Sequence, residues 1–157
     1  MGMNLNADKL LRLTHRLDFF DAMNDHERFE VIQRLEANVA MHPKGATIIA
    51  PGGREQHLYI VLSGLVTIQK GELIHTVLNA IQPGDFFGEI AFSSKMSADV
   101  SVVANEDTIL MALSNDDLES LNGLIRGKIN DKIIFRLIKR LKHMNDLVMK
   151  MEKDKKH

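Results

Sequence analysis

The sequence has no cysteine, no tryptophan, one tyrosine and three prolines among its 157 residues. Without cysteine there can be no disulfide and no thiolate metal site, which is compatible with a reducing compartment. No apolar run approaches the roughly 18 residues that mark a membrane-spanning helix. The opening stretch MGMNLNADKLLRLTHRL carries charges where a secretory signal is continuously apolar, so cytoplasmic residence is expected. Catalytic signatures are missing too. The seven histidines form no close metal-ligand pair. No nucleophile elbow, Walker loop or paired catalytic carboxylate appears, and GDFFGE is not a dinucleotide fingerprint. The expectation is a protein that catalyses nothing and needs no cofactor or metal.

An excess of charge of either sign is also lacking, since 20 Lys and Arg meet 21 Asp and Glu for a net charge of −1. The balance hides an asymmetry. Residues 1–123 hold 9 basic against 17 acidic side chains, net −8, and residues 124–157 hold 11 against 4, net +7. The tail is therefore a different surface from the body.

What is present divides into three parts. Residues 1–40 read as N-terminal helices, with Leu10, Leu13, Leu17 and Phe20 at helical spacing. A second helix starts at Asn24, a candidate N-cap with Glu27 three residues on, and its apolar face is Phe29, Ile32, Leu35 and Val39. Pro43 and Gly45 stop it. Residues 41–123 then carry short β-branched runs (ATIIA, HLYIVLS, LVTIQK, LIHTVLNAI, DVSVVA, TILMAL) punctuated by Pro51-Gly52-Gly53, Gly64, Gly71 and Pro83-Gly84. Turns at this spacing predict an antiparallel barrel, roll or sandwich of about eight strands flanked by helices, an α+β chain that is mainly β. Ser114 with Asp117 signals another helix start and Gly123 its stop.

Residues 124–157 read as one long basic helix. Ile134, Leu137, Leu141, Met144, Val148 and Met151 occupy a and d positions of about three heptads, which predicts pairing with a second copy. Lys132, Arg136, Lys139, Arg140, Lys142 and Lys150 read as the exposed side, a face for the acidic body or for an acidic protein partner. A bare basic helix lacks base-reading geometry, so no specific nucleic-acid binding is expected.

One segment, PGDFFGEIAFSSKMSADVSVVA at 83–104, looks built to hold a phosphate, with Gly84 and Gly88 around two aromatics and an acid following at Glu89. Together with PKGATIIAPGGREQHLYIVLSGLVTI, which places Gly45, Gly53, Tyr59, Ser63 and Gly64, and with VVANEDTILMALSNDDLESL, it resembles the cyclic nucleotide-binding domain family over roughly residues 17–141. That family includes catabolite-activator-type regulators, kinase regulatory subunits and cyclic-nucleotide-gated channels. The resemblance implies an antiparallel β-roll, or jelly roll, with a phosphate cassette and a long C-terminal helix that closes over the ligand and transmits the signal. By the same resemblance, Phe87 and Gly88 open the cassette and Glu89 accepts from the ribose 2′-hydroxyl. Ile90 and Ala91 turn backbone N–H groups to the cyclic phosphate, and Ser101 is the late hydroxyl residue.

The family's phosphate-binding arginine does not carry over. Counting nine residues on from Glu89, or back from Glu106-Asp107-Thr108, reaches Ala98, with the negative Asp99 beside it. Lys95 and Arg54 are the candidate substitute bases. Losing one charge-assisted hydrogen bond costs roughly 1.5–3 kcal/mol. The resemblance therefore implies a bacterial, cytoplasmic regulatory domain with a degenerate cassette, acting through dimerisation and partner contacts. A working sensor of cyclic AMP, cyclic GMP or a cyclic dinucleotide, using Glu89, the cassette amides and a substitute base, is one alternative. A truncated transcription regulator is the other, because relatives carry a helix-turn-helix after the long helix and this sequence ends at His157.

Overall fold

The computed structural model describes residues 5–53, 56–70, 76–94 and 100–155. Helix α1 (Ala7–Thr14) is capped by Asn6, whose side chain accepts from the Lys9 N–H at 2.9 Å. Its apolar run does not continue as one helix. Leu17 and Phe20 lie beyond it, before and within a 3-10 turn at Asp18–Phe20, yet both bury in the same core as Leu10. Helix α2 (Asp25–Leu35) opens with the capping box expected from sequence: Asn24 Oδ1 accepts from the Glu27 N–H at 2.8 Å, and Glu27 Oε1 accepts from the Asn24 N–H at 3.0 Å.

The end of α2 corrects the sequence reading. The helix stops at Leu35, and Val39 belongs to strand β1 (Val39–His42), which pairs residue by residue with β8. Phe29 is 42% exposed, while Val31, Ile32 and Leu35 supply the buried face. A four-residue ladder with β8 satisfies backbone groups that one more helical turn would leave at a frayed end. Gly123 likewise begins a helix rather than stopping one. Helix α4 (Asn115–Ser120), with its Ser114–Asp117 capping box, ends first, and Asn122 Oδ1 accepts from the Ile125 N–H at 3.0 Å to start the next helix.

Between these helices, β1 and seven further strands form two four-stranded antiparallel sheets: β2 (Thr47–Ile49), β3 (Leu58–Ser63), β4 (Val66–Lys70), β5 (Thr76–Ile81), β6 (Phe86–Phe87), β7 (Ser101–Ala104) and β8 (Thr108–Leu113). The orders are β1-β8-β3-β6 and β2-β7-β4-β5, and the chain passes back and forth between the sheets as in a jelly roll. Strand β3 shows why its sequence reads as a continuous apolar run. Leu58, Ile60 and Leu62 face the helices, while Tyr59 and Val61 face the space between the sheets, and all five are buried. A strand covered on both faces loses its polar alternation.

Helix α5 (Gly123–Lys155) has 33 residues, a length of about 50 Å. Ile125, Ile129 and Ile133 lie one turn apart and bury against the helical core, and Leu137 packs at its rim. From Ile138 onward every described residue of α5 is exposed. No helix among the described residues is long and apolar enough to cross a membrane.

Near its start α5 makes a buried ion pair. Lys128 Nζ reaches Glu27 Oε1 at 2.6 Å, and the Glu27 side chain is 8% exposed. The Lys128 hydrogen bond, followed by the Asn24 N–H, holds the Glu27 carboxyl below its ordinary 4.5. A carboxyl lowered by folding adds stability above its unfolded value and loses it as pH falls through the lowered folded value. Denaturant unfolding at successively lower pH should therefore show stability dropping below about pH 4.5. The drop should be shallower in Glu27→Gln, and an identical slope in the two chains would refute the assignment.

Candidate functional site

The segment from Gln82 to Ser94 is clamped before any ligand arrives. Gly84 donates to the Val61 carbonyl at 2.8 Å, Val61 donates to the Asp85 carbonyl at 2.9 Å, and Phe19 donates to the Gly84 carbonyl at 3.1 Å. Strand β6 then pairs Phe86 and Phe87 with Ile60 and Tyr59. Alternation sends the two rings to opposite cores. Phe86 meets Phe19 edge-on at 5.7 Å, and Phe87 stacks on Tyr59 at 5.1 Å. Gly88 turns the chain with φ +87, and a Cβ there would lie 2.5 Å from the His57 carbonyl oxygen. Helix α3 (Glu89–Ser94) follows, anchored by the Phe92 N–H donating to the Gly88 carbonyl at 3.0 Å and by Asn115 Nδ2 donating to the Phe92 carbonyl at 3.2 Å.

This geometry leaves Glu89 only 4% exposed. Its partner comes from α5: Arg140 Nη1 donates to Glu89 Oε1 at 2.8 Å. One turn earlier, Arg136 pairs with Asp85, donates to the Phe86 carbonyl at 3.0 Å and lies over the Phe86 ring at 4.4 Å. Burial first, and the neighbouring Arg140 charge second, lower the Arg136 guanidinium from its ordinary value, though a guanidinium stays charged in proteins. One turn earlier again, Lys132 meets Asp21 at 2.7 Å.

With Lys128–Glu27 these make four rungs at strict i, i+4 spacing, in which residues 128, 132, 136 and 140 of α5 meet Glu27, Asp21, Asp85 and Glu89 of the body. From sequence, Lys132, Arg136 and Arg140 read as the exposed side of the helix. In the structure all three pair with acids of the chain's own body, one of the two uses the sequence offered for this face, and Arg140 does so while its side chain stays 46% exposed. Lys142 and Lys150 do stand exposed. The spacing 128-132-136-140 is the signal that sequence offers. It does not reveal the rungs, because the acids come from separate segments of the body.

Between α5 and the roll lies a cavity of about 240 Å³. Ile68, Ile81 and Phe87 form its apolar floor, and Asp85, Glu89, Arg136, Lys139 and Arg140 its charged wall. Of the residues singled out from sequence, Phe87 and Glu89 line this cavity and Gly88 lies between them. Ala91 is buried in α3, Ile90 is 50% exposed, and Ser101 begins β7 opposite Gln69 of β4. Lys95, Ala98, Asp99 and Arg54 lie outside the described residues. Ile134, Leu141, Met144, Val148 and Met151 are 52–63% exposed, while Leu137 faces the body. Among the described residues no group of three or more His, Cys, Asp or Glu is placed to hold a metal ion.

Residues 41–122 match the family model described as the cyclic nucleotide-binding domain. The cyclic AMP receptor protein of Thermus thermophilus is 35% identical over 83 residues, 52% of this chain and 38% of that protein. The cAMP-dependent protein kinase regulatory subunit of Aspergillus fumigatus is 29% identical over 102 residues, 65% of this chain and 24% of that protein. The chain thus spans well under half the length of these curated relatives. Among solved structures, the Thermus thermophilus catabolite activator protein superposes with TM-score 0.70 at 26% identity, covering 85% of this chain and 62% of that one. A cyclic nucleotide-binding domain from Methylobacillus flagellatus shares the fold with TM-score 0.74 at 18% identity, covering 91% and 82%.

Proposed function

Since this chain belongs to the cyclic nucleotide-binding domain family, we propose that it is a non-enzymatic regulatory module that takes a cyclic mononucleotide at Glu89 and passes the occupancy to α5. One observation carries this reading. A nearly buried carboxylate, following the positive-φ turn at Gly88, lines a cavity that Arg136, Lys139 and Arg140 of the long helix also line. A carboxylate there suits a ribose hydroxyl, because a buried acceptor requires a donor. In the state described that donor is Arg140. A ligand sharing Glu89 adds a second donor to the carboxylate that Arg140 holds, and so acts on the helix that carries the exposed stripe Ile134, Leu141, Met144, Val148 and Met151. That stripe has the heptad spacing to pair two copies, which would make the chain a ligand-modulated homodimer.

Calorimetry with cyclic AMP and cyclic GMP tests the proposal. Saturable binding that Glu89→Gln weakens at least tenfold is expected, since a hydrogen bond to a charged group is worth about 1.5–3 kcal/mol. No heat and no thermal shift with either nucleotide would overturn it. Arg140 would then act as an internal plug on Glu89, and the module would work through dimer and partner contacts alone.

A further inference from the structure

We infer that the positive charge facing the ligand's phosphate is supplied by α5 through Lys139, with Arg140 beside it, and not by the cassette. The inference rests on the nucleotide reading of the Glu89 cavity and names the source of its counter-charge.

Three cations and two carboxylates line the cavity. Arg136 is matched to Asp85 and Arg140 to Glu89. Lys139 is not so matched. Its ammonium lies 4.8 Å from the centroid of the Phe135 ring, and among the described residues it pairs with no carboxylate. Among the described residues the walls therefore carry one positive charge in excess. A cyclic phosphodiester carries one negative charge, so this ligand class neutralises the cavity, whereas a nucleoside would leave it charged and a dianion would overshoot. The ring contact also addresses the usual weakness of lysine as an anion anchor, its freedom to wander. A cation over an aromatic face is held loosely at an exposed site, near the cavity but without the competition of a carboxylate. Arg140 adds directional donors, since contact with one Glu89 oxygen leaves most of its five N–H groups uncommitted. Lys139 is itself exposed and also borders a second cavity of about 390 Å³ at the 82–86 turn, so replacing it leaves the core undisturbed.

The test compares cyclic AMP with adenosine, which offers the same base and ribose without the phosphate, in calorimetric titrations of the intact chain and of Lys139→Ala, Lys139→Arg and Lys95→Ala. Lys139→Ala should bind cyclic AMP about tenfold to a hundredfold more weakly and show a smaller salt dependence. Adenosine binding should not change, Lys139→Arg should recover much of the loss, and Lys95→Ala should behave as the parent. Cyclic AMP binding that survives Lys139→Ala, or that is lost in Lys95→Ala instead, overturns the inference and leaves the functional reading standing. A parent chain that binds no cyclic nucleotide overturns both. Because Lys139 is exposed, unaltered thermal melting of the variants is expected, and it separates a lost contact from a lost fold.

Discussion

Gly88→Ala should lower the free energy of unfolding by about 3 kcal/mol, with two separable causes. The first is conformational. At φ +87 a side chain is strained wherever it sits, by about 1–2 kcal/mol for a residue forced into the left-handed region. The second is steric. The new Cβ would lie 2.5 Å from the His57 carbonyl oxygen, a backbone atom one residue ahead of the buried strand β3, so neither partner can yield cheaply. Gly45→Ala isolates the first cause, because Gly45 has φ +89 and a Cβ there would meet nothing within 4 Å. Gly45→Ala should cost only about 1 kcal/mol. Thermal melts should separate the two variants by several degrees, on the scale of about 2–4 °C per kcal/mol for a chain of this size. Equal melting temperatures would refute the steric part. Gly88 also sets the direction of Glu89, so Gly88→Ala should weaken nucleotide binding beyond its effect on stability.

The second large effect belongs to α5. Ile129 is fully buried in the helical core, and Ile129→Ala should cost about 2–5 kcal/mol through lost burial and the cavity left behind. Its functional consequence follows from its position. The ion-pair rungs at Arg136 and Arg140 begin two turns further along the same helix, so loosening Ile129 loosens the wall of the ligand cavity. Leu141→Ala is the matched control, a similar truncation on the same helix at a residue 63% exposed. At low protein concentration Leu141→Ala should change stability by no more than about 0.5 kcal/mol. By light scattering at high concentration it should reduce the dimer fraction. A large loss of monomer stability in Leu141→Ala, or a parent chain that stays monomeric at high concentration, would refute the exposed-stripe reading of α5.

Much of the architecture is legible in the sequence because it rests on local chemistry. Asn24 with Glu27 and Ser114 with Asp117 announce helix starts, since a capping side chain and its target N–H lie within one turn. The β3 and β8 runs are apolar because both of their faces are covered. Where local pattern and tertiary pairing compete, the pattern misleads. Val39 extends the α2 apolar stripe in sequence, yet strand β8 claims it. Leu17 and Phe20 keep the spacing of α1 but reach the core through a 3-10 turn.

The candidate site divides in the same way. Gly88 and Glu89 stand out in the sequence because a glycine turn ahead of an acid is a contiguous motif. Residue order is likewise enough to establish the fold class and the opposition of an acidic body to a basic tail. It is not enough to establish that Lys128, Lys132, Arg136 and Arg140 commit their charge to Glu27, Asp21, Asp85 and Glu89, leaving Lys139 at the cavity without a carboxylate among the described residues. Those pairings exist only once the chain is folded, and the reason is geometric. Helical periodicity says which side chains share a face, but not which face meets the body. That choice is made by Ile125, Ile129 and Ile133, whose burial rotates the helix and brings the neighbouring cations inward.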